Sequence, residues 1–373
     1  MKPLPKEETG KVLYAEAIDR MLERIERTAA QVGEAFPLSA DPATGQWQTA
    51  PDGRWTGGFW AGQLWLAHRA SGAARFRDLA LAAMKRLEVR LPIDNVLNGL
   101  VFHYGAAIGA ILGKCAGNSD APAALALKAA EALASRFNVQ AGFIPLGHQS
   151  GSLTGDPAGE TNIDGVPGMS LLYWAAANGG SGELAAIASR HLRRHIELCQ
   201  RADGSLHQAA LVDPRTGATL KQYSPRGLAP EGTWARAQSW GLVGFAQAHA
   251  WTRGNDFLVA AQRVADWWLA HAPADRVAFW DFTDPAIPST FRDTSATAMV
   301  AAGLLKLGQA GRYRAEAADI VRALLEHYLV KGALTQGCWQ RNEGMATRHE
   351  LVWGDYYLLE ALLVLDGRVG ETL

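Results

Sequence analysis

The residue best placed to do chemistry is Asp164, in the stretch Glu160-Thr161-Asn162-Ile163-Asp164-Gly165 just ahead of an apolar helical run. Two roles are open to it. A carboxylate before a helix can cap the orphan N–H groups of the first turn. A carboxyl at the mouth of an apolar ring of helices can instead have its pKa raised and act as a general acid. His103, in Phe102-His103-Tyr104-Gly105, and His207 are each either structural or acid/base candidates. Trp60, Trp234 and Trp240 lie beside Arg and Gln, a setting that suits either a core or a platform on which sugar rings stack. Arg236 sits near an expected helix N-terminus, where the dipole disfavours a cation, so an anionic ligand or an acidic partner is implied. Asp293 and Asp355 read as N-caps. The sequence carries no Gly-rich phosphate loop, no HExxH (His349-Glu350 lacks the second His) and no Gly-x-Ser-x-Gly elbow.

Apolar residues recur at helical spacing in twelve segments, near 11–34, 57–71, 74–90, 103–117, 121–136, 166–179, 183–200, 234–253, 256–272, 293–310, 312–329 and 352–366. Connections after the even-numbered helices are brief and Gly-rich. Connections before them are long, at 35–56, 91–102, 137–165, 201–233, 273–292 and 330–351, and end in the clusters that hold the candidate residues. Loops beyond about 12–15 residues in a compact domain are usually functional or disordered. Six helical hairpins with this asymmetry predict an all-α, (α/α)6 barrel, with the even helices inside and the decorated loops at one end. No linker divides the chain, so residues 1–373 are expected to form one domain. Alternation over 204–212, turned by Asp213-Pro214-Arg215-Thr216-Gly217, predicts a small hairpin.

Composition narrows the class. Hydrophobic residues at 48% are enough for a large core, and a net charge of −1 points to neither nucleic acid nor an anionic membrane as partner. Residues 1–8 do not resemble a signal peptide. The longest apolar run, 99–113, is too short to span a bilayer, and its Gly105, Gly109 and Gly113 suit close helix contact. Cys115, Cys199 and Cys338 are too scattered for a disulfide framework or a zinc site. The expectation is a cytoplasmic protein without metal or cofactor, its oligomeric state open.

The clusters resemble those of the unsaturated glucuronyl hydrolases (glycoside hydrolase family 88) and the related unsaturated rhamnogalacturonyl hydrolases, which are (α/α)6-barrel enzymes. Gly58-Phe59-Trp60-Ala61-Gly62-Gln63-Leu64-Trp65 is similar to the family's first inner-helix motif, and Ile163-Asp164 with Leu171-Leu172-Tyr173-Trp174 to the motif of its general acid/base. Trp234-Ala235-Arg236-Ala237-Gln238-Ser239-Trp240-Gly241 resembles the family's W-x-R-G-Q-A-W-G, with Ala237 in place of Gly. Asp293-Thr294-Ser295-Ala296 and Trp353-Gly354-Asp355-Tyr356-Tyr357 match the last two inner helices. Five motifs in order carry more weight than any one.

The resemblance implies release of a 4,5-unsaturated uronic acid from the non-reducing end of lyase-generated oligosaccharides. Asp164 would protonate the vinyl ether and activate water. Trp60, His207, Gln222, Trp234, Arg236 and Trp240 would form the sugar site, with Tyr104 beside it. The family usually carries a second Asp in a motif like H-D-x-G, and His103, 61 residues before Asp164, aligns with it. That exchange leaves two other readings: a uronate-directed lyase using His103 and Tyr104, or a non-catalytic carbohydrate-binding homologue.

Overall fold

The computed structural model describes residues 6–113, 120–148, 157–308, 311–371 and 373, with side chains from residue 12 onward; Cys115 lies outside this set. The chain is mostly helical. Its long outer helices are α1 (Lys6–Val32), α3 (Ala74–Arg86), α6 (Asp120–Ala134), α8 (Glu183–Cys199), α10 (Asn255–His271) and α12 (Gly311–His327). Between them run α2 (Gly57–Ser71), α4 and α5 (Asn98–Phe102 and Ile108–Gly113, joined by a π turn), α7 (Ser170–Ala177, led by a 3-10 turn over Ile163–Met169), α9 (Ala235–Thr252), α11 (Thr294–Leu307) and α13 (Val352–Leu365).

Burial separates the two sets. In α8 the buried positions are Leu184, Ala188, His191, Leu192, His195, Leu198 and Cys199, a single stripe at helical spacing. In α9, by contrast, every residue from Ala235 to Ala248 is buried, and α11 and α13 are covered almost end to end. A helix that is apolar all round belongs inside. The inner helices pack in sequence: α2 on α4 and the π turn, α4 on the 3-10 turn before α7, that turn on α9, α9 on α11, α11 on α13, and α13 back on α2.

Ten of the twelve expected segments match helices within about three residues, and the first helix starts five residues early, at Lys6. The fourth is displaced by as much, with consequences for the site. It begins at Asn98 and not at 103, so His103 lies more than a turn inside the helix, at the start of the π turn. Close packing explains part of this placement. Added Cβ atoms on Gly99 and Gly168 would each meet the other's segment, at 2.9 Å from the Gly168 carbonyl oxygen and 2.7 Å from the Leu100 nitrogen. The two backbones are therefore in contact, which seats the Asp164 turn directly on the start of α4. Gly105 and Gly109 do serve close contact, facing Leu87 and the Trp65 ring.

Short strands tie the long loops together. β1 (Phe36–Ala40) pairs with β2 (Trp47–Ala50) and with β8 (Glu350–Leu351), joining the loops before α2 and α13. β4 (Ala209–Val212) pairs with β3 (Glu160–Asn162) and β5 (Thr219–Tyr223), joining the loops before α7 and α9. The expected hairpin is thus present, although its first strand starts at Ala209 and not at 204. β6 (Leu329–Val330) and β7 (Ala333–Leu334) form a separate pair. No helix among the described residues is long and apolar enough to cross a membrane.

Candidate active site

Four of the six long loops converge on a cavity of about 280 Å³. The loop before α2 supplies Asp52, Arg54 and Trp55; Arg90 joins them, and the loop after it and the first turn of the second inner helix, α4, supply Asn95, Leu97 and Leu100. The β3 end contributes Asn162 and Asp164. Arg226, Trp234, Arg236 and Trp240 complete the wall from the α9 side. The two remaining loops stand behind this wall and hold it. Asp293 and the backbone of Cys338 and Trp339 grip Arg236, and the Trp353 and Trp339 rings pack on Trp55.

Asp164 is nearly buried, at 8% exposure. One carboxylate oxygen accepts a hydrogen bond from the Gln208 side-chain amide at 3.1 Å, while the other has no partner. The side-chain oxygen of Asn162 is likewise unpartnered. Burial pushes the Asp164 pKa up, against the lowering pull of Arg226, Arg236 and the Gln208 amide. A carboxyl whose pKa burial raises, on the wall of a cavity and with one oxygen unpartnered, is equipped to donate a proton to a bound ligand. No side-chain cap is formed at this turn, so the capping role open to Asp164 is not the one it plays.

Arg236 received the acidic partner that its position called for. Its guanidinium donates to Asp293 at 3.0 Å, to the Cys338 carbonyl at 2.5 Å and to the Trp339 carbonyl, and it lies over the Trp234 ring at 4.4 Å. Both members of the ion pair are buried. Asp293 also caps α11 by accepting from the Ala296 N–H, as its position suggested. Asp355 is not a cap: it accepts from the Leu334 N–H inside the first turn of α13. Burial and the neighbouring Glu350 raise its pKa well above the ordinary value.

Of the expected site residues, Asp164, Trp234, Arg236 and Trp240 share the cavity. Five others do not line it. His103 is buried with both ring nitrogens unpartnered, and burial, with Lys306 nearby, pushes its pKa down to about 3. Tyr104 is also buried, its hydroxyl 2.6 Å from that of Tyr357. The early start of the second inner helix draws both inward, and its first turn takes their place at the cavity. A His103–Tyr104 pair therefore cannot abstract a substrate proton there. Trp60 is buried in α2 away from the cavity; the indole on the wall is Trp55, five residues earlier, whose ring meets those of Phe59, Trp240, Trp339 and Trp353. His207 faces Arg201, at 3.1–3.2 Å, whereas its neighbour Gln208 reaches Asp164. Gln222 is exposed on β5, where its side chain donates to the Leu198 carbonyl.

On the cavity wall, sequence reasoning missed Asp52, Arg54, Trp55, Arg90, Asn95, Leu97, Leu100, Asn162 and Arg226, and behind it Gln208, which holds Asp164. The Trp55-Thr56-Gly57-Gly58 cluster held one signal, and alternation in the 204–212 segment held another, since His207 and Gln208 must face opposite ways.

No family model matches the chain. It is 30% identical to the unsaturated glucuronyl hydrolase of Bacillus sp. (strain GL1), over 95% of this chain and 97% of that protein. It is also 30% identical to the unsaturated chondroitin disaccharide hydrolase of Streptococcus pneumoniae (strain ATCC BAA-255 / R6), over 96% of this chain and 92% of the relative. The crystal structure of the Bacillus sp. GL1 unsaturated glucuronyl hydrolase superposes with a TM-score of 0.88 at 29% identity, covering 94% of this chain and 96% of that one. The protein is thus a glycoside hydrolase, built around a buried carboxylic acid in an aromatic and arginine-lined cavity. Within that class, the chain belongs to the unsaturated glucuronyl hydrolase family.

Proposed function

We propose that this protein is a one-domain (α/α)6 toroid that removes a 4,5-unsaturated uronic acid from the non-reducing end of oligosaccharides produced by a polysaccharide lyase. The closed order of inner-helix contacts supports the toroid. The observation that carries the chemistry is Asp164: buried, raised in pKa, with one oxygen held by Gln208 and the other unpartnered on the cavity wall. A related structure, 30% identical with a TM-score of 0.87, is of a variant with dGlcA-Glc-Rha-Glc.

In this mechanism the Asp164 carboxyl gives its proton to C4 of the vinyl ether. Water adds at C5 and returns a proton to the Asp164 carboxylate. The hemiketal so formed opens and expels the next sugar. Hydration needs one group able to give and take a proton, whereas a conventional glycosidase needs a pair of carboxyl groups. Trp55 offers a ring face to the sugar, backed by the more deeply buried Trp240 and Trp234, and Asn162 a hydrogen-bond acceptor to its hydroxyls. Arg226 is the cation beside Asp164 on which the uronate carboxylate would rest.

Unsaturated uronides absorb in the near ultraviolet, so the test is direct. Incubation with unsaturated disaccharides is expected to abolish that absorbance and release the second sugar. Unchanged absorbance with every unsaturated uronide tried would refute the assignment, and rising absorbance from saturated uronides would identify a lyase.

A further inference from the structure

The buried stripe of the outer helix α8 is apolar except at His191 and His195, both fully covered. A leucine at either position would pack on the core without burying ring nitrogens, which is costly unless they are hydrogen-bonded. The chemistry proposed above uses neither ring. What the imidazoles add to the stripe is their hydrogen bonds.

Those bonds assign the protons. His195 Nδ1 lies 2.7 Å from the His191 carbonyl, an acceptor, so this nitrogen carries the hydrogen. Burial keeps the ring neutral, its pKa pushed down to about 4. Nε2 is then left to accept from the Thr161 hydroxyl, at 2.7 Å. His191 is stacked on this ring at 4.1 Å, and its own Nδ1 accepts from the Ile144 N–H at 3.0 Å.

Both contacts lead to the cavity. Thr161 is buried in β3, beside Asn162 and three residues before Asp164. β3 is three residues long with one strand neighbour, β4, so a side-chain anchor adds to its hold. The last turn of α8 also lies against the acid, whose charge helps to raise the Cys199 thiol. From Ile144 the path runs through Leu146, which donates to the Glu160 carbonyl and accepts from the Val96 N–H. Val96 stands between Asn95 and Leu97 of the cavity wall.

We infer that His195 is a positioning residue: from the outer helix it fixes Thr161, and through Thr161 it sets where the Asp164 carboxyl meets the substrate. The inference rests on the proposed hydrolysis with Asp164 as the acid.

Thr161→Val removes the hydroxyl and keeps the shape, and His195→Leu removes the acceptor. With an unsaturated disaccharide, measured well below each melting temperature, kcat is expected to fall about tenfold or more in both, with KM within about twofold. The double variant should lose no more than the worse single one, because all three remove the same contact. His195→Gln, whose amide oxygen can accept from Thr161, should recover most of kcat. Should His195→Leu fail to fold, Thr161→Val and His195→Gln still decide. An unchanged kcat in Thr161→Val, or losses that multiply in the double variant, would overturn the positioning role and leave the hydrolase assignment intact. Absence of turnover by the wild type would instead overturn the assignment beneath it.

Discussion

At the scale of single residues, the site turns on how Asp164 holds its proton. Asp164→Asn keeps the shape of the side chain and removes the acid, so kcat/KM for an unsaturated disaccharide is expected to fall by about 100-fold or more; near-normal turnover would exclude Asp164 as the acid/base. Gln208 tests the tuning. Its amide favours the charged carboxylate, so Gln208→Leu should raise the Asp164 pKa further. In the proposed mechanism the protonated acid is the active form, so the alkaline limb of the kcat profile should then move to higher pH; a shift to lower pH would contradict this. His103 offers the reverse case. Had it stood at the cavity, His103→Asp would restore a second carboxylate and speed turnover. Buried without partners, the new carboxylate should instead lower the melting temperature and bring no gain in activity.

At the scale of elements, most of the framework was legible and the exceptions have causes. Periodicity marks helices well where a whole face is apolar, as in α8, and the predominantly apolar α11 and α13 stood out between long loops. The second inner helix was misplaced because Phe102-His103-Tyr104 looks like the aromatic clusters that open other inner helices. The apolar run that begins at Gly99 was the better guide to its start. Strand parity decided His207 against Gln208, and a displacement of one residue exchanges the solvent side for the site. Pairings such as β1 with β8 join positions about 310 residues apart and leave no local signature. Near this sheet Arg24 of α1 grips Glu350 with paired hydrogen bonds of 2.9 and 2.5 Å, and Glu350 abuts Asp355 of α13. Arg24→Ala strips the cation from two adjacent buried carboxyls. Denaturant titration should show a loss of about 3 kcal/mol, and a change below about 0.5 kcal/mol would mean the contact is idle.

For the whole molecule, burial of neutral histidines sets the acid limit. His103 and His195 are pushed down to about 3 and about 4, and His191 well below its ordinary value, each chiefly by burial. Below pH about 6.5 the unfolded chain binds protons at these sites while the folded chain does not. Folded-state stability must therefore drop as pH falls from about 6.5 toward 4. Asp355 works in the other direction: its raised pKa favours the folded state at low pH, and that contribution is lost as pH rises. Melting temperature measured from pH 7 to pH 4 should fall, with a shallower slope in His195→Gln. A flat profile would show that the histidines are hydrated in solution.

The Trp55 ring stands on the cavity wall, within 5.0–6.3 Å of four other aromatic rings, three of them indoles. Indoles this close exchange excitation energy, so emission from the whole group responds to whatever touches its outermost member. The protein thereby carries an optical gauge of occupancy. A sugar resting on Trp55 would change the colour and yield of intrinsic fluorescence before any bond is broken, which lets binding be timed separately from hydration in a single stopped-flow trace.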